Sequence, residues 1–250
     1  MSAQTSTEPR LRKCDYCLVR HRTLCSMADT QALSELNRIG HIRSFASAST
    51  IITAGEQMPF VGIVRSGVVK LTKVMSDGRQ QIVGLLFASD FVGRAFEDHW
   101  PYSAEAATDV EICAFERTAF ERVLSEHPEL EHHLLIATLN ELDAARDWMM
   151  LLGCKTAEEK VASFLMFIAR RALKEGRCSD LQNSLPSFEL PVSRSDMAAY
   201  LGTTVETVSR QITRLKTANI IRLTNTHHFI VPDMDRLAAV AGIDETAEQG

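Results

Sequence analysis

Long hydrophobic runs are missing. No stretch of about 18 or more apolar residues occurs, so no membrane-spanning helix is expected. The N-terminal stretch from Met1 to Lys13 is polar and lacks the apolar centre of a secretory signal, which makes the cytoplasm the expected compartment. Catalytic signatures are missing as well. There is no glycine-rich phosphate loop, no G-x-S-x-G and no H-E-x-x-H, so nothing in the chain points to an enzyme. Positive charge is scarce: 27 Lys and Arg stand against 32 Asp and Glu, a net charge of -5. A global basic field is therefore excluded, and any nucleic-acid site must be a local positive patch on an acidic body.

What is present is a chain of 250 residues, 45% of them hydrophobic, enough to bury a sizeable core in one large domain or two modest ones. Six cysteines occur: Cys14, Cys17, Cys25, Cys113, Cys154 and Cys178. In a reducing compartment, clustered cysteines suggest metal ligands or redox chemistry before disulfides.

Four patterns succeed one another. Residues 1–29 are poor in apolar residues and hold three of the cysteines. Gln31 to Ile39 has a short helical period. Residues 42–118 then read as short strands, Ser49–Ala54, Val61–Val64, Val68–Val74 and Gln81–Leu86 among them, separated by turn residues. Asp77-Gly78 is a hairpin signal, because glycine tolerates positive φ. An antiparallel sandwich or barrel is expected. After Pro128, Leu135, Leu142 and Met149 recur every seven residues, with Thr138, Ala145 and Leu152 three behind each. That is a seam for two helices side by side, and a helix packed on its own chain is the alternative. Gly153 and Lys155 are expected to end it. Thr156 and Glu159 then form a capping box for a helix with Val161, Phe164, Leu165 and Ile168 on its apolar face. Residues 175–188 read as a loop.

Residues 193–217 carry a helix-turn-helix pattern. Ser193 caps a helix through Leu201, Gly202 permits the turn, and Thr203 with Glu206 is expected to cap a second helix. On that helix Val205, Val208, Ile212 and Leu215 form a stripe for burial. Glu206, Ser209, Arg210, Thr213 and Arg214 fall on the other face. Arg bonds guanine through two acceptors and Glu accepts from cytosine, whereas Ser209, Thr213 and Lys216 suit phosphates. Three basic residues (Arg210, Arg214, Lys216) here face one acid, Glu206. Ile220–Thr224 and His228–Val231 read as a hairpin wing. A helical hairpin with a solvated charged face is the bland alternative.

The string GTTVETVSRQITRLK, with its E-x-x-S-R, resembles the recognition helix of the CRP/FNR superfamily, and of its FNR branch in particular. The resemblance implies an α+β architecture: a cyclic-nucleotide-binding-like antiparallel β-roll, a long dimerisation helix and a C-terminal winged helix-turn-helix. The corresponding boundaries are 1–29, 30–126, 127–155 and 156–250. It implies a homodimer joined through Leu135, Leu142, Ala145, Met149 and Leu152. It also implies double-stranded DNA as partner, with Glu206, Ser209 and Arg210 reading the half-site TTGA. RNA polymerase is the implied second partner, met by exposed loops of the roll such as Ser76–Gln81.

Cys14-x2-Cys17-x7-Cys25 has the spacing of soft-metal ligands. From spacing alone, zinc and an iron–sulfur cluster both remain open, since His21 splits the long gap and supplies a fourth zinc ligand. The resemblance implies instead a [4Fe-4S] cluster on Cys14, Cys17, Cys25 and Cys113, destroyed by oxygen. CDYCLVRHRTLC is similar to the FnrL and FnrN proteins of α-proteobacteria. Cys154 and Cys178 are left outside the site. No cyclic nucleotide is expected: where the nucleotide-binding branch has Arg-Ser, this chain has Tyr102-Ser103, and tyrosine offers no fork for a phosphate. Haem is a further possibility in the superfamily, with His99, His127, His132 and His133 available. Asp143 and Asp147, near the seam, would repel across a dimer axis or simply face solvent.

Overall fold

The computed structural model describes residue 14 and residues 17–175 and 185–243. The chain divides into two compact units, Met1–Val69 with Leu86–Leu139, and Lys70–Leu85 with Asn140–Gly250. Its strands run β1 (Gly40–Phe45), β2 (Thr50–Ile52), β3 (Phe60–Ser66), β4 (Val69–Val74), β5 (Gln80–Leu86), β6 (Phe91–Val92), β7 (Ser103–Ala106) and β8 (Val110–Glu116). These form the expected antiparallel β-roll.

In the first unit one sheet has the order β1-β8-β3-β6. Its central strand β8 alternates: Val110, Ile112 and Ala114 are buried, while Glu111 and Cys113 on the opposite face are half-buried. β3 is buried along most of its length, which fits its uninterrupted apolar run. Helix α1 (Thr30–Ile39) precedes β1, and the Asp29 carboxylate caps it by accepting from the Ala32 N–H at 2.7 Å. Helix α2 (Arg117–Glu126) follows β8. The Glu116 carboxylate caps it, and the Thr118 hydroxyl and the Ala119 and Thr118 N–H groups hold that carboxyl below its ordinary range.

Helix α3 (Pro128–Cys154) starts with proline at the first position, where its missing N–H is harmless. It ends at Cys154, between Gly153 and Lys155, the two residues expected to end it. A single glycine costs a helix only about 1 kcal/mol. The stop comes from the capping box beyond it: the Thr156 N–H donates to Glu159 Oε2 at 2.7 Å, and the Glu159 N–H to the Thr156 hydroxyl at 3.3 Å.

In the second unit that box opens α4 (Ala157–Glu175), which buries Val161, Phe164, Leu165 and Ile168 as expected. A three-stranded sheet, β9 (Ser187–Glu189), β10 (Arg222–Leu223) and β11 (His228–Ile230), has the order β10-β11-β9. β10 and β11 are the wing. Asn225 shapes its tip, its side-chain oxygen accepting from the N–H groups of His227 and His228 at 2.8 Å each. β9 begins in the stretch 175–188 read as a loop and ends one residue past it, because three residues are too few to show a period. Residues 176–184 of that stretch lie outside the described residues. Helices α5 (Arg194–Leu201), α6 (Val205–Thr217) and α7 (Met234–Ala241) complete the unit.

Candidate thiol centre and nucleic-acid interface

The N-terminal cysteines sit on two tight turns. The Cys17 N–H donates to the Cys14 carbonyl at 3.4 Å, and the Arg20 N–H to the Cys17 carbonyl at 3.2 Å. Val19, buried, pins this turn. Cys25 lies in a 3₁₀ turn (Leu24–Ser26), with its N–H donating to the Thr23 hydroxyl at 3.3 Å. Cys113 is at the middle of β8, between Ile42 of β1 and Ile63 of β3.

Two glycines let backbone pack closely around this part of β8, and spacing alone does not mark them. A Cβ on Gly40 would stand 3.4 Å from Cys113 Sγ and 2.9 Å from the Leu36 carbonyl oxygen. A Cβ on Gly62 would meet the Cys113 carbonyl oxygen at 2.8 Å. Any other residue at Gly62 must push β3 and β8 apart.

Electrostatics tie the four cysteines together. Burial pushes the Cys25 thiol up from 9.0 to about 11. The Thr23 hydrogen bond opposes this, Cys14 and Cys17 add to it, and Arg20 opposes it. Burial pushes Cys113 up to about 12, with Cys25, Cys14 and Cys17 adding and Arg65 opposing. Each thiolate thus makes the next more costly, a repulsion that a bound cationic metal centre would relieve. Soft donors in mutual electrostatic reach fit an iron–sulfur core in chemistry. Among the described residues, no three His, Cys, Asp or Glu side chains are already gathered as a metal site. His21 is exposed, and its Nε2 accepts from Arg22 Nε at 3.0 Å. Cys154 is exposed, and Cys178 lies outside the described residues.

The seam of α3 is open to solvent in the single chain. Leu135, Leu142 and Met149 are 55%, 43% and 62% exposed. Thr138 and Ala145 are exposed too, and Leu152 is half-buried. A helix packed on its own chain would have buried these positions. Asp143 pairs with Arg146 Nη1 at 2.9 Å on the same helix, and Asp147 is exposed.

The helix-turn-helix is built on two caps. The Ser193 hydroxyl accepts from the Asp196 N–H at 3.0 Å, and Asp196 accepts from the Ser193 N–H at 3.2 Å, a closed box. Gly202, at φ +60°, ends α5 in the left-handed region that disfavours other residues. The cap of α6 is Thr204, not Thr203. The Thr203 N–H is spent on the Ala198 carbonyl at 3.0 Å in closing α5, so the new helix starts one residue later. The buried stripe also shifts. Val208, Ile212 and Leu215 are buried, joined by Gln211, whereas Val205 is 40% exposed. Val205 is the first residue of α6, ahead of the turn that meets the core.

Glu206, Arg210, Thr213 and Arg214 are exposed and Ser209 is half-buried, so the expected polar face faces outwards. The Glu206 carboxyl is held below its ordinary range by its own N–H and the Thr204 hydroxyl, which makes it a charged acceptor at neutral pH. The Thr213 hydroxyl donates to the Ser209 carbonyl at 2.9 Å. Arg214 Nη1 lies 3.8 Å from Glu158 Oε2. Among the described residues, no ion pair engages Arg210.

Residues 42–127 match the cyclic nucleotide-binding domain family, and residues 159–240 match the Crp-like helix-turn-helix domain family. A protein of Rhizobium leguminosarum bv. viciae named "Probable transcriptional activator" is 50% identical over 224 residues, 90% of this chain and 91% of that one. The transcriptional activator protein FnrL of Cereibacter sphaeroides is 46% identical over 236 residues, 94% of each chain. The solved structure of FixK2 from Bradyrhizobium japonicum aligns with a TM-score of 0.71 at 31% identity, covering 81% of this chain and 97% of that one. The chain therefore belongs to the CRP/FNR family and is a DNA-binding transcription regulator of the FNR/FixK type, not an enzyme.

Proposed function

We propose that this regulator senses oxygen through a [4Fe-4S] cluster held by Cys14, Cys17, Cys25 and Cys113. The observation that carries this is the electrostatic coupling of three thiols on the N-terminal turns with a fourth in the middle of β8. When bound, such a cluster supplies an oxygen-labile tie between segments distant in sequence. The chain's own residues do the rest. Cys14, Cys17 and Cys25 anchor the turns that lead into α1, and Cys113 fixes them to the roll. Glu35 of α1 lies 3.6 Å from Nε2 of His127, the residue whose carbonyl opens α3. Ordering the turns thereby favours one placement of α3.

The seam Leu135, Leu142, Ala145, Met149 and Leu152 then joins two copies, and a dimer presents two α6 helices to a palindrome. Glu206, Ser209 and Arg210 read bases of TTGA-N6-TCAA, while Thr213 and Arg214 hold the backbone. RNA polymerase meets the exposed turn Ser76–Gln81, which Asp77 stiffens by accepting from the Arg79 N–H at 3.0 Å. The roll works without a cyclic nucleotide. Tyr102 lies edge-on to Trp100, and the Ser103 hydroxyl is taken by the Ala54 N–H at 3.0 Å.

Iron and sulfide analysis of anaerobically purified protein tests the reading, beside binding to the TTGA-N6-TCAA duplex before and after air. Iron and sulfide in equal amounts, with operator binding lost on exposure to air, supports it. A colourless protein with stoichiometric zinc overturns the cluster in favour of a zinc-bearing regulator. Operator binding by Cys25→Ser equal to the parent's in strict anoxia overturns the coupling between the thiols and DNA.

A further inference from the structure

Cys113 shares its strand face with a charge pair. Positions 111 and 113 of β8 face away from the buried side formed by Val110, Ile112 and Ala114, so Glu111 is one pleat from the thiol. β3 runs beside them, with Ile63 opposite Cys113 and Ser66 opposite Glu111. Between these pairs the register slips, and Arg65 is the extra residue. Bulges re-aim side chains. Here Arg65 Nη1 reaches Glu111 Oε2 at 3.2 Å. Arg65 is the better shielded partner, its side chain 22% exposed against 47% for Glu111.

We propose that Arg65, aimed by the β3 bulge and held by Glu111, is a positioning residue that sets the charge balance of the Cys113 centre and with it the resistance of that centre to oxygen. The inference rests on the iron–sulfur reading above and adds to it a control that is not a ligand. Four thiolates would bring more negative charge than an iron–sulfide core cancels, so a loaded centre would be anionic. A partly shielded guanidinium nearby stabilises that state, and a carboxylate opposes it. A bound centre that gave up an electron to oxygen, forming superoxide, would lose one negative charge. Arg65 therefore holds that electron back and Glu111 favours its departure. The pair acts as two opposed weights whose net effect is small until one is removed.

The test uses full-length protein loaded with iron and sulfide in anoxia. Three quantities are followed at low and high salt: loss of visible absorbance in air, iron release to a chelator without air, and the midpoint potential of the centre. Arg65→Gln is expected to lose absorbance about fivefold faster, and Glu111→Gln about fivefold slower, with both differences shrinking as salt screens them. The midpoint falls in the first variant and rises in the second. Arg65→Lys keeps the charge and stays near the parent, as does the double variant Arg65→Gln/Glu111→Gln. Two single variants that shift in the same direction, or Arg65→Lys behaving as Arg65→Gln does, would show a packing role and overturn the inference while leaving the cluster in place. A parent that takes up neither iron nor sulfide overturns the iron–sulfur reading, and this inference with it.

Discussion

Trp148 of the long helix α3 stacks on Tyr200 of α5, their ring centroids 4.3 Å apart and their planes 19° from parallel. Phe167 and Phe164 of α4 close the cluster, at 6.4 Å from Trp148 and 5.9 Å from Tyr200. Within the second unit this fixes the end of α3 to the helix that precedes the recognition helix. The contact has a flaw: Trp148 Nε1 is buried with no hydrogen-bond partner. Trp148→Ala is expected to destabilise the unit by about 2–4 kcal/mol through lost packing. Trp148→Phe keeps a ring and removes the unpaired donor, so it is expected to be neutral or stabilising. Thermal unfolding of the two variants checks the ordering. A phenylalanine variant as unstable as the alanine one would show that the full width of the indole, which a single ring does not replace, carries the contact.

The exposed seam of α3 gives a second prediction. Leu142→Glu places charge where two copies meet and is expected to leave a monomer by sedimentation under anoxia. Asp147→Ala is expected to act the other way, removing repulsion and strengthening association of the cluster-free protein. Unchanged dimerisation of Asp147→Ala would mean that Asp147 simply faces solvent.

The recognition face separates base readout from backbone contact. Arg210→Ala is expected to weaken operator binding by about 1–3 kcal/mol, roughly 5- to 150-fold, and to flatten preference at one base pair. Lys216→Ala is expected to weaken all sequences alike and to reduce the slope of log affinity against log salt by about one. Equal losses for Arg210→Ala on matched and mismatched duplexes would reassign Arg210 to a phosphate.

The features visible in the sequence are those set by local chemistry. The Asp77-Gly78 turn, the Ser193 and Thr156 caps and the stripe Val208, Ile212, Leu215 each depend on residues a few positions apart. The misplacements have local causes too: Thr203 was spent in closing α5, and Val205 sits before the first buried turn. Contacts between distant strands were not visible. Gly40, Gly62, Arg65 and Glu111 surround Cys113 only because β1, β8 and β3 are neighbours in that order. No period or motif announces a glycine that lets two segments of backbone approach, or a bulge that turns an arginine. Cys113 itself is marked by the resemblance, not by its spacing.

The raised thiols predict how the cluster-free protein responds to alkali. A thiol whose pKa is higher folded than unfolded favours folding while it stays protonated. That contribution is complete below the unfolded value of 9.0 and is lost as pH climbs through about 11 for Cys25 and about 12 for Cys113. The cluster-free parent is therefore expected to lose thermal stability above about pH 9, and Cys113→Ala to lose less over the same interval. The comparison is needed because tyrosines and lysines titrate in the same range, and only the difference between the two proteins belongs to Cys113. Metal uptake runs in the opposite sense. It requires thiolates, so it releases protons and is favoured as pH rises toward 9.0, the value of an unburied thiol. Parallel melting curves for parent and Cys113→Ala across this range would show that the Cys113 thiol is not held protonated by the fold.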